Sequence, residues 1–338
     1  MVKACNIAIV GASGAVGQEF LKILAERDFP VGELRLLATE RSEGKQLAFR
    51  GREYMVARTT PDSFAGMDIA LFAGGSASKT YAADAVAAGA VVIDNSSSFR
   101  YDPAVPLVIP EVNPEDVRWH KGIIANPNCS TIQMLVALKP LHDAARIRRI
   151  LVSTYQAVSG AGLPGLHELE SQAAHLMRGE EIDPPQAFPY QIAFNLIPQI
   201  DVLLEDGYYK EEMKMVWETQ KIFHDENIRV AATCVRVPVF RSHSEAVTVE
   251  LERPLSPEEA RECLRRAPGV VVVDDPAAQK YPMPFYTSDT DEVYVGRIRR
   301  DLSAENSLHL WVVADQIRKG AATNAIQIAE LLLRENLI

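Results

Sequence analysis

Gly-Ala-Ser-Gly-Ala-Val-Gly at 11–17 constrains this chain more than any other stretch. It follows a short apolar run, Asn-Ile-Ala-Ile-Val at 6–10, and opens a segment, 16–26, in which Val16, Phe20, Ile23 and Leu24 share one helical face. Glycines at this spacing permit a tight strand-to-helix turn. The helix start beyond them offers unpaired N–H groups and the positive end of a dipole. The same glycines suit a turn that binds nothing, but their place directly after the first strand favours a pyrophosphate. The spacing is G-x-x-G-x-x-G rather than the commoner G-x-G-x-x-G; the physics is shared. Gly11, Ser13, Gly14, Ala15 and Val16 are therefore candidate dinucleotide contacts.

The rest of the first third alternates strand and helix. Apolar runs at 34–38, 68–73, 90–94, 107–109 and 122–125 read as strands, with an alanine-rich helix at 81–88. Such alternation predicts a parallel sheet covered on both faces, a Rossmann-like α/β domain. After about residue 147 the texture changes to β-rich runs at 149–156, 228–239, 245–252, 270–273, 293–298 and 308–313. In 245–252, Val247, Val249 and Leu251 alternate with Thr248 and Glu250, which suits a sheet with one buried face. The second half thus reads as an α+β domain with a mixed sheet. The last segment, 315–336, has helical spacing throughout. The division expected is 1–127 plus about 315–338 for the dinucleotide domain, and 128–314 for a catalytic and dimerisation domain.

At 338 residues and 47% hydrophobic, the chain is long enough for two cores. A net charge of −10 argues against a nucleic-acid or anionic-membrane partner. No apolar run reaches the roughly 18 residues needed to span a bilayer. The four cysteines, Cys5, Cys129, Cys234 and Cys263, are scattered and fit no zinc spacing, so no metal is expected. A reduced, cytoplasmic protein without a signal peptide is the expectation.

One cysteine stands apart. Cys129 lies in Asn-Pro-Asn-Cys-Ser-Thr at 126–131, at the mouth of a helical run, where the dipole favours the nucleophilic thiolate. A buried helix cysteine is the bland alternative. A cysteine nucleophile needs an acid/base group nearby. Of seven histidines, His243 sits at a strand junction, in Arg-Ser-His-Ser-Glu at 241–245, where site residues often emerge. Arg236 ends the preceding strand and has the fork to grip a carboxylate. At the end of the second strand, Thr39, Arg41 and Ser42 suit a ribose 2′-phosphate, while Glu40 and Glu43 suit a free ribose hydroxyl; NADP is the expected cofactor.

With these residues in view, the chain resembles the bacterial aspartate-semialdehyde dehydrogenases along nearly its whole length. The stretches that carry the likeness include 11–17, Asp-Asn-Ser-Ser-Ser-Phe-Arg at 94–100, 126–132, Ser-Thr-Tyr-Gln-Ala-Val-Ser-Gly at 153–160, Glu-Glu-Met-Lys at 211–214, 236–245 and Lys-Gly-Ala-Ala at 319–322. The resemblance implies Cys129 as nucleophile, His243 as acid/base and Gln156 as the residue orienting substrate beside the cysteine. It implies Arg236 for the substrate α-carboxylate and Glu211 for its amino group. It implies Arg100, Lys214 and Asn128 for phosphate, and Gly160 and Asn324 as further cofactor contacts. The implied reaction is NADPH-dependent reduction of L-aspartyl 4-phosphate to the semialdehyde through a cysteine thioester. Its setting is the biosynthesis of lysine and diaminopimelate, threonine, methionine and isoleucine. A homodimer with a small-molecule substrate and phosphate as partners is implied. An N-acetylglutamyl-phosphate reductase and a non-catalytic dinucleotide-binding relative are the alternatives. The stretch 163–190 matches least well.

Overall fold

The computed structural model describes residues 4–338. The chain divides into two compact units, one of residues up to Asn128 together with Ala321–Ile338, the other Cys129–Gly320.

The first unit is a seven-stranded sheet built from β1 (Cys5–Val10), β2 (Val31–Ala38), β3 (Gln46–Phe49), β4 (Arg52–Arg58), β5 (Ile69–Phe72), β6 (Val91–Asp94) and β7 (Ile123–Ala125), in the order β3-β4-β2-β1-β5-β6-β7. All neighbours are parallel except β3 and β4. The apolar run of β1 reads continuously because both its faces are covered. Ile7 and Ile9 pack with Phe20 and Leu24 of α1 (Ala15–Glu26) and with Ile328 and Leu332 of the C-terminal helix, Thr323–Arg334. Ala8 and Val10 point the other way, into Phe64, Phe72 and Ala82, the last on α2 (Ala77–Ala87).

Three features depart from the pattern of the sequence. The β3–β4 hairpin was hidden by its polar edge; Arg50 (φ +48°) and Gly51 (φ +75°) close it with the left-handed pair that hairpin twist prefers. The run 107–109 makes only an isolated bridge, Leu107 to Ala125, because Pro106 and Pro110 bound it and offer no N–H to a ladder. The terminal helix begins at Thr323, not 315. Before it the chain turns at Asp315, whose Oδ1 accepts the N–H groups of Ile317 (2.9 Å) and Arg318 (3.1 Å), and passes through one wide helical turn, Arg318–Ala322.

The second unit centres on α3 (Cys129–Ala145), whose Ile132, Met134, Leu135, Ala137, Leu138 and Leu141 are all fully buried. A helix apolar on all sides belongs in a core. One side of α3 lies on a six-stranded mixed sheet, the other meets α5 (Lys210–Phe223) and α6 (Pro257–Arg266). The sheet comprises β8 (Ile147–Gln156), β9 (Arg229–Arg236), β10 (His243–Leu251), β11 (Val270–Val272), β12 (Val293–Arg300) and β13 (Ser307–Ala314), ordered β11-β12-β13-β10-β8-β9. Its β8–β9 and β11–β12 pairs are parallel and the rest antiparallel. The poorly legible stretch after residue 160 begins with α4 (Gly162–Met177). The irregular chain beyond it is pinned by that helix: Glu168 accepts the N–H groups of Gln186 (2.7 Å) and Ala187 (2.6 Å), and Gln172 those of Ile192 (2.9 Å) and Ala193 (3.1 Å).

A Cβ at Gly17 would lie 2.3 Å from the Gly11 carbonyl oxygen, against backbone that has no room to yield. Gly17→Ala is expected to force α1 away from β1, lowering the melting temperature in calorimetry and weakening dinucleotide binding in titration.

Candidate active site

In the second unit, three strands present their ends as one row. Gln156 closes β8 and pairs with Arg236, which closes β9. The pairing of Ser244 with Tyr155 sets His243, the first residue of β10, on the other side of Gln156. Residues opposite one another share a face, and all three side chains are buried. Cys129 is the first residue of α3, which crosses that face. Its side chain is half-buried.

One peptide organises the row. The Ala157 N–H donates to His243 Nδ1 at 3.0 Å, and the Ala157 carbonyl accepts from Arg236 Nη1 at 2.7 Å. With Nδ1 taken as acceptor, the neutral ring carries its proton on Nε2. That nitrogen faces the Gln156 amide at 3.4 Å. The amide is itself oriented: Thr154 Oγ1 donates to its oxygen at 3.0 Å and its nitrogen donates to Glu211 Oε1 at 3.1 Å. Burial pushes the His243 ring down to about 3, helped by the Arg236 charge and opposed by Glu211, so the imidazole is neutral at pH 7.

Burial also lowers Arg236, opposed by Glu211 and by a Cys129 thiolate within electrostatic reach; its guanidinium remains charged at any ordinary pH. Glu211, in the first turn of α5, accepts from Lys214 at 2.8 Å as well as from Gln156. Lys214 reaches Asp201 at 2.7 Å. Burial opposes the Lys214 charge, but the two carboxylates outweigh it and push its pKa up.

Gly160 lies in this unit, and its missing side chain is what the row requires. A Cβ there would sit 2.7 Å from Arg236 Nη1 and 3.4 Å from His243 Cε1. Gly320 serves Cys129 likewise, since a Cβ there would come within 2.9 Å of the cysteine Cβ. The pattern of glycines in the sequence gave no sign of either role. Sequence reasoning also missed the Ala157 peptide, because main-chain groups carry no signature, and Asp201, which lies 13 residues from the lysine it meets.

In the first unit, Gly11 adopts φ +86° and its N–H bonds the Leu37 carbonyl at 2.8 Å, tying the turn to β2. Gly14 precedes α1 without a side-chain cap, so the first N–H groups of the helix await another acceptor. Ser13, Ala15 and Val16 flank that opening. Beside the turn, a cavity of about 470 Å³ is lined by Gly11, Thr39, Glu40, Arg58, Gly75 and Tyr81, a size suited to part of a dinucleotide. Arg41 is exposed and Ser42 buried in the short turn Glu40–Ser42. Arg58, from β4, was not foreseen; its guanidinium lies 3.5 Å from Glu40. Arg100 is buried and donates to the Asn95 carbonyl at 2.8 Å. Asn128 is buried at the end of this unit. Asn324, in the C-terminal helix, commits its amide nitrogen to Val108 (3.0 Å) and Asn126 (2.6 Å).

A thiol at a helix start, in the same unit as a neutral imidazole and a buried arginine, suits acyl transfer to sulfur. A glycine-turn sheet suits a hydride-carrying dinucleotide. The class is therefore a cysteine-dependent dehydrogenase of acyl or aldehyde carbons. Comparisons with known proteins agree. The family profile described as semialdehyde dehydrogenase, NAD binding domain, matches residues 6–120, and that described as semialdehyde dehydrogenase, dimerisation domain, matches 138–319. The aspartate-semialdehyde dehydrogenase of Aquifex aeolicus is 62% identical over 98% of this chain and 99% of its own. A crystal structure of aspartate semialdehyde dehydrogenase II from Vibrio cholerae, complexed with ASA, superposes with a TM-score of 0.95 at 53% identity, covering 98% of this chain and 99% of that one. The Candida albicans enzyme with NADP superposes at 0.79 with 26% identity, covering 99% and 100%. The chain belongs to the aspartate-semialdehyde dehydrogenase family.

Two outcomes are expected. Gly160→Ala should displace the Arg236 guanidinium from Ala157, raising KM for the carboxylate substrate about tenfold with a smaller effect on kcat. The second concerns acid stability. Unfolded, His243 titrates near 6.5; folded, it is held down to about 3. The unfolded chain binds the extra proton between these values, so stability is lost as pH falls below about 6.5. Urea unfolding between pH 7 and 4 should be steeper for wild type than for His243→Gln, by up to ~1.4 kcal/mol per pH unit.

Proposed function

We propose that this chain reduces L-aspartyl 4-phosphate to L-aspartate 4-semialdehyde and inorganic phosphate through a thioester on Cys129. The observation that carries the reading is the Ala157 peptide, which holds a neutral imidazole and a carboxylate-gripping arginine side by side. Cys129 Sγ attacks the acyl carbon. The developing oxyanion meets N–H groups at the start of α3. The carbon–oxygen bond to phosphate breaks, and phosphate leaves with the electron pair. Arg100, Lys214 and Asn128 hold it, as the resemblance implies. Arg236 has nitrogens beyond the one bonded to Ala157 with which to bind the substrate α-carboxylate, and Glu211 faces the amino group. The bound nicotinamide supplies a hydride to the thioester carbon.

His243 then acts at the hemithioacetal oxygen. Its filled Nδ1 supports a refinement of the acid/base role: the neutral ring donates a hydrogen bond from Nε2 to that oxygen. Collapse of the oxygen electron pair to a carbonyl breaks the carbon–sulfur bond and restores the thiolate. The Gln156 amide lines the Nε2 side of the ring at 3.4 Å. The reverse sequence is phosphate-dependent oxidation of the semialdehyde, and the forward one serves the biosynthesis of the aspartate-derived amino acids.

We assign NADP as the cofactor. Gly11, Ser13, Gly14, Ala15 and Val16 take the pyrophosphate, and Thr39, Arg41 and Ser42, now with Arg58, take the 2′-phosphate. The resemblance implies Asn324 and Gly160 as further cofactor contacts. A dinucleotide domain of 1–127 with about 315–338 and a catalytic and dimerisation domain of 128–314 has support in the two compact units, whose bounds differ by one residue at the first boundary and by about six at the second. The second unit carries the dimerisation domain of the family, and a half-exposed face of its sheet, with Tyr155 and Trp311 in ring contact at 5.5 Å, supports a homodimer surface there. No helix among the described residues is long and apolar enough to cross a membrane. The four cysteines carry no disulfide, and we place the enzyme in the cytoplasm.

Cys129→Ala should abolish turnover of semialdehyde with phosphate while leaving NADPH binding intact by fluorescence titration; retained turnover would end the thioester mechanism. Initial rates should favour NADP over NAD by at least about tenfold in kcat/KM. Equal rates would assign Glu40, not the arginines, to the ribose.

A further inference from the structure

The mechanism leaves one buried acid unused. Glu245 stands two residues after His243 on β10, so the two side chains point to the same face. It is fully buried, and neither carboxyl oxygen has a hydrogen-bond partner. Its cross-strand neighbours are Thr154 on β8 and Val312 on β13, neither charged. One strand further, Thr154 pairs with Cys234, a thiol that burial pushes up and keeps neutral. Among the described residues no cation pairs with Glu245. From α3 the residue within hydrogen-bonding reach is Gln133.

Gln133 has the complementary problem. Its amide nitrogen donates to the His243 backbone carbonyl at 3.3 Å, but its buried oxygen has no partner. Three acceptor oxygens, two from Glu245 and one from Gln133, thus share a dry site in which the donor near Glu245, the Gln133 amide nitrogen, is bonded to His243. A carboxylate here would be an unpaired buried charge, among the costliest features a fold can hold. A single proton on Glu245 supplies the missing donor. Burial pushes the Glu245 carboxyl well above the usual carboxylate range, although Gln133 opposes the shift.

We propose that Glu245 is a positioning residue for the thioester chemistry: as the undissociated acid it donates to Gln133 Oε1, and the amide so oriented holds the His243 backbone against α3. The placement is direct. Gln133 lies four residues, one helical turn, beyond Cys129 on α3, and Glu245 lies one pleat beyond His243 on β10. The Glu245–Gln133 link therefore sits one layer beneath the nucleophile and the imidazole and sets their register. Glu245 touches no reacting atom.

The inference rests on the thioester reading for its kinetic arm only. In the homodimeric enzyme at pH 7, the infrared difference between wild type and E245Q should contain the C=O stretch of an undissociated carboxylic acid. E245Q keeps a donor in place and should retain kcat within about threefold, with an unchanged rate profile against pH. E245L and Q133L should lose about tenfold or more in kcat with KM for the semialdehyde within about threefold, and should shift the pH profile of Cys129 alkylation by iodoacetamide. A packing role alone would lower the melting temperature of E245L but leave kcat per alkylatable cysteine and the alkylation profile unmoved; that result overturns the proposal, as does carboxylate absorption from Glu245. Should E245L fail to fold, the infrared band and Q133L decide. Wild-type enzyme inactive on the semialdehyde would sink the proposed reaction, while the band and the alkylation profile would still judge Glu245.

Discussion

The Ala157 peptide is the element on which the catalytic geometry depends. Its N–H fixes the tautomer and plane of His243, and its carbonyl fixes Arg236. Both groups are buried, and both are costly to bury unless their polar atoms are satisfied. A main-chain amide at the end of a central strand does this for two side chains at once, without adding charge. The geometry also explains Gly160, three residues on, where any side chain would press on the same arginine and imidazole.

Two periodicities build the site around that peptide. Along the sheet, Arg236, Gln156 and His243 form one row, and Cys234, Thr154 and Glu245 the row below it. Along α3, Cys129 stands one turn above Gln133. Strand period and helix pitch thus bring a reactive layer to rest on a supporting layer. The upper layer is polar and charge-bearing; the lower is polar but without net charge once Glu245 holds its proton. The Gln133 bond to the His243 carbonyl links the two layers.

Electrostatics in the site are balanced locally. Glu211 serves Gln156, Lys214 and the Arg236 cation together, and Asp201 shares Lys214. The imidazole is left as the neutral member, since burial and Arg236 both oppose its protonation and Glu211 only partly offsets them. A neutral imidazole and a guanidinium cation are compatible side by side because one peptide satisfies a polar atom of each.

The glycine turn, the strand–helix alternation and the cysteine at a helix mouth were legible in the sequence because each is a local requirement: φ sign, hydrophobic period, helix dipole. So the Rossmann-like sheet, the mixed second sheet and Cys129, His243 and Arg236 as candidates all follow from neighbours along the chain. The β3–β4 hairpin escaped notice because its strands are polar edges. The late start of the C-terminal helix escaped because the Asp315 turn keeps helical spacing while breaking helical bonding. What tertiary structure alone decided was pairing at long range: Ala157 with residues 79 and 86 positions away, Gln133 with one 110 away, Lys214 with Asp201. Sequence specifies side chains and local dihedrals. Which buried acceptor meets which donor is settled only when the sheet register brings distant strands together, since a hydrogen bond depends on distance in space and not on separation along the chain.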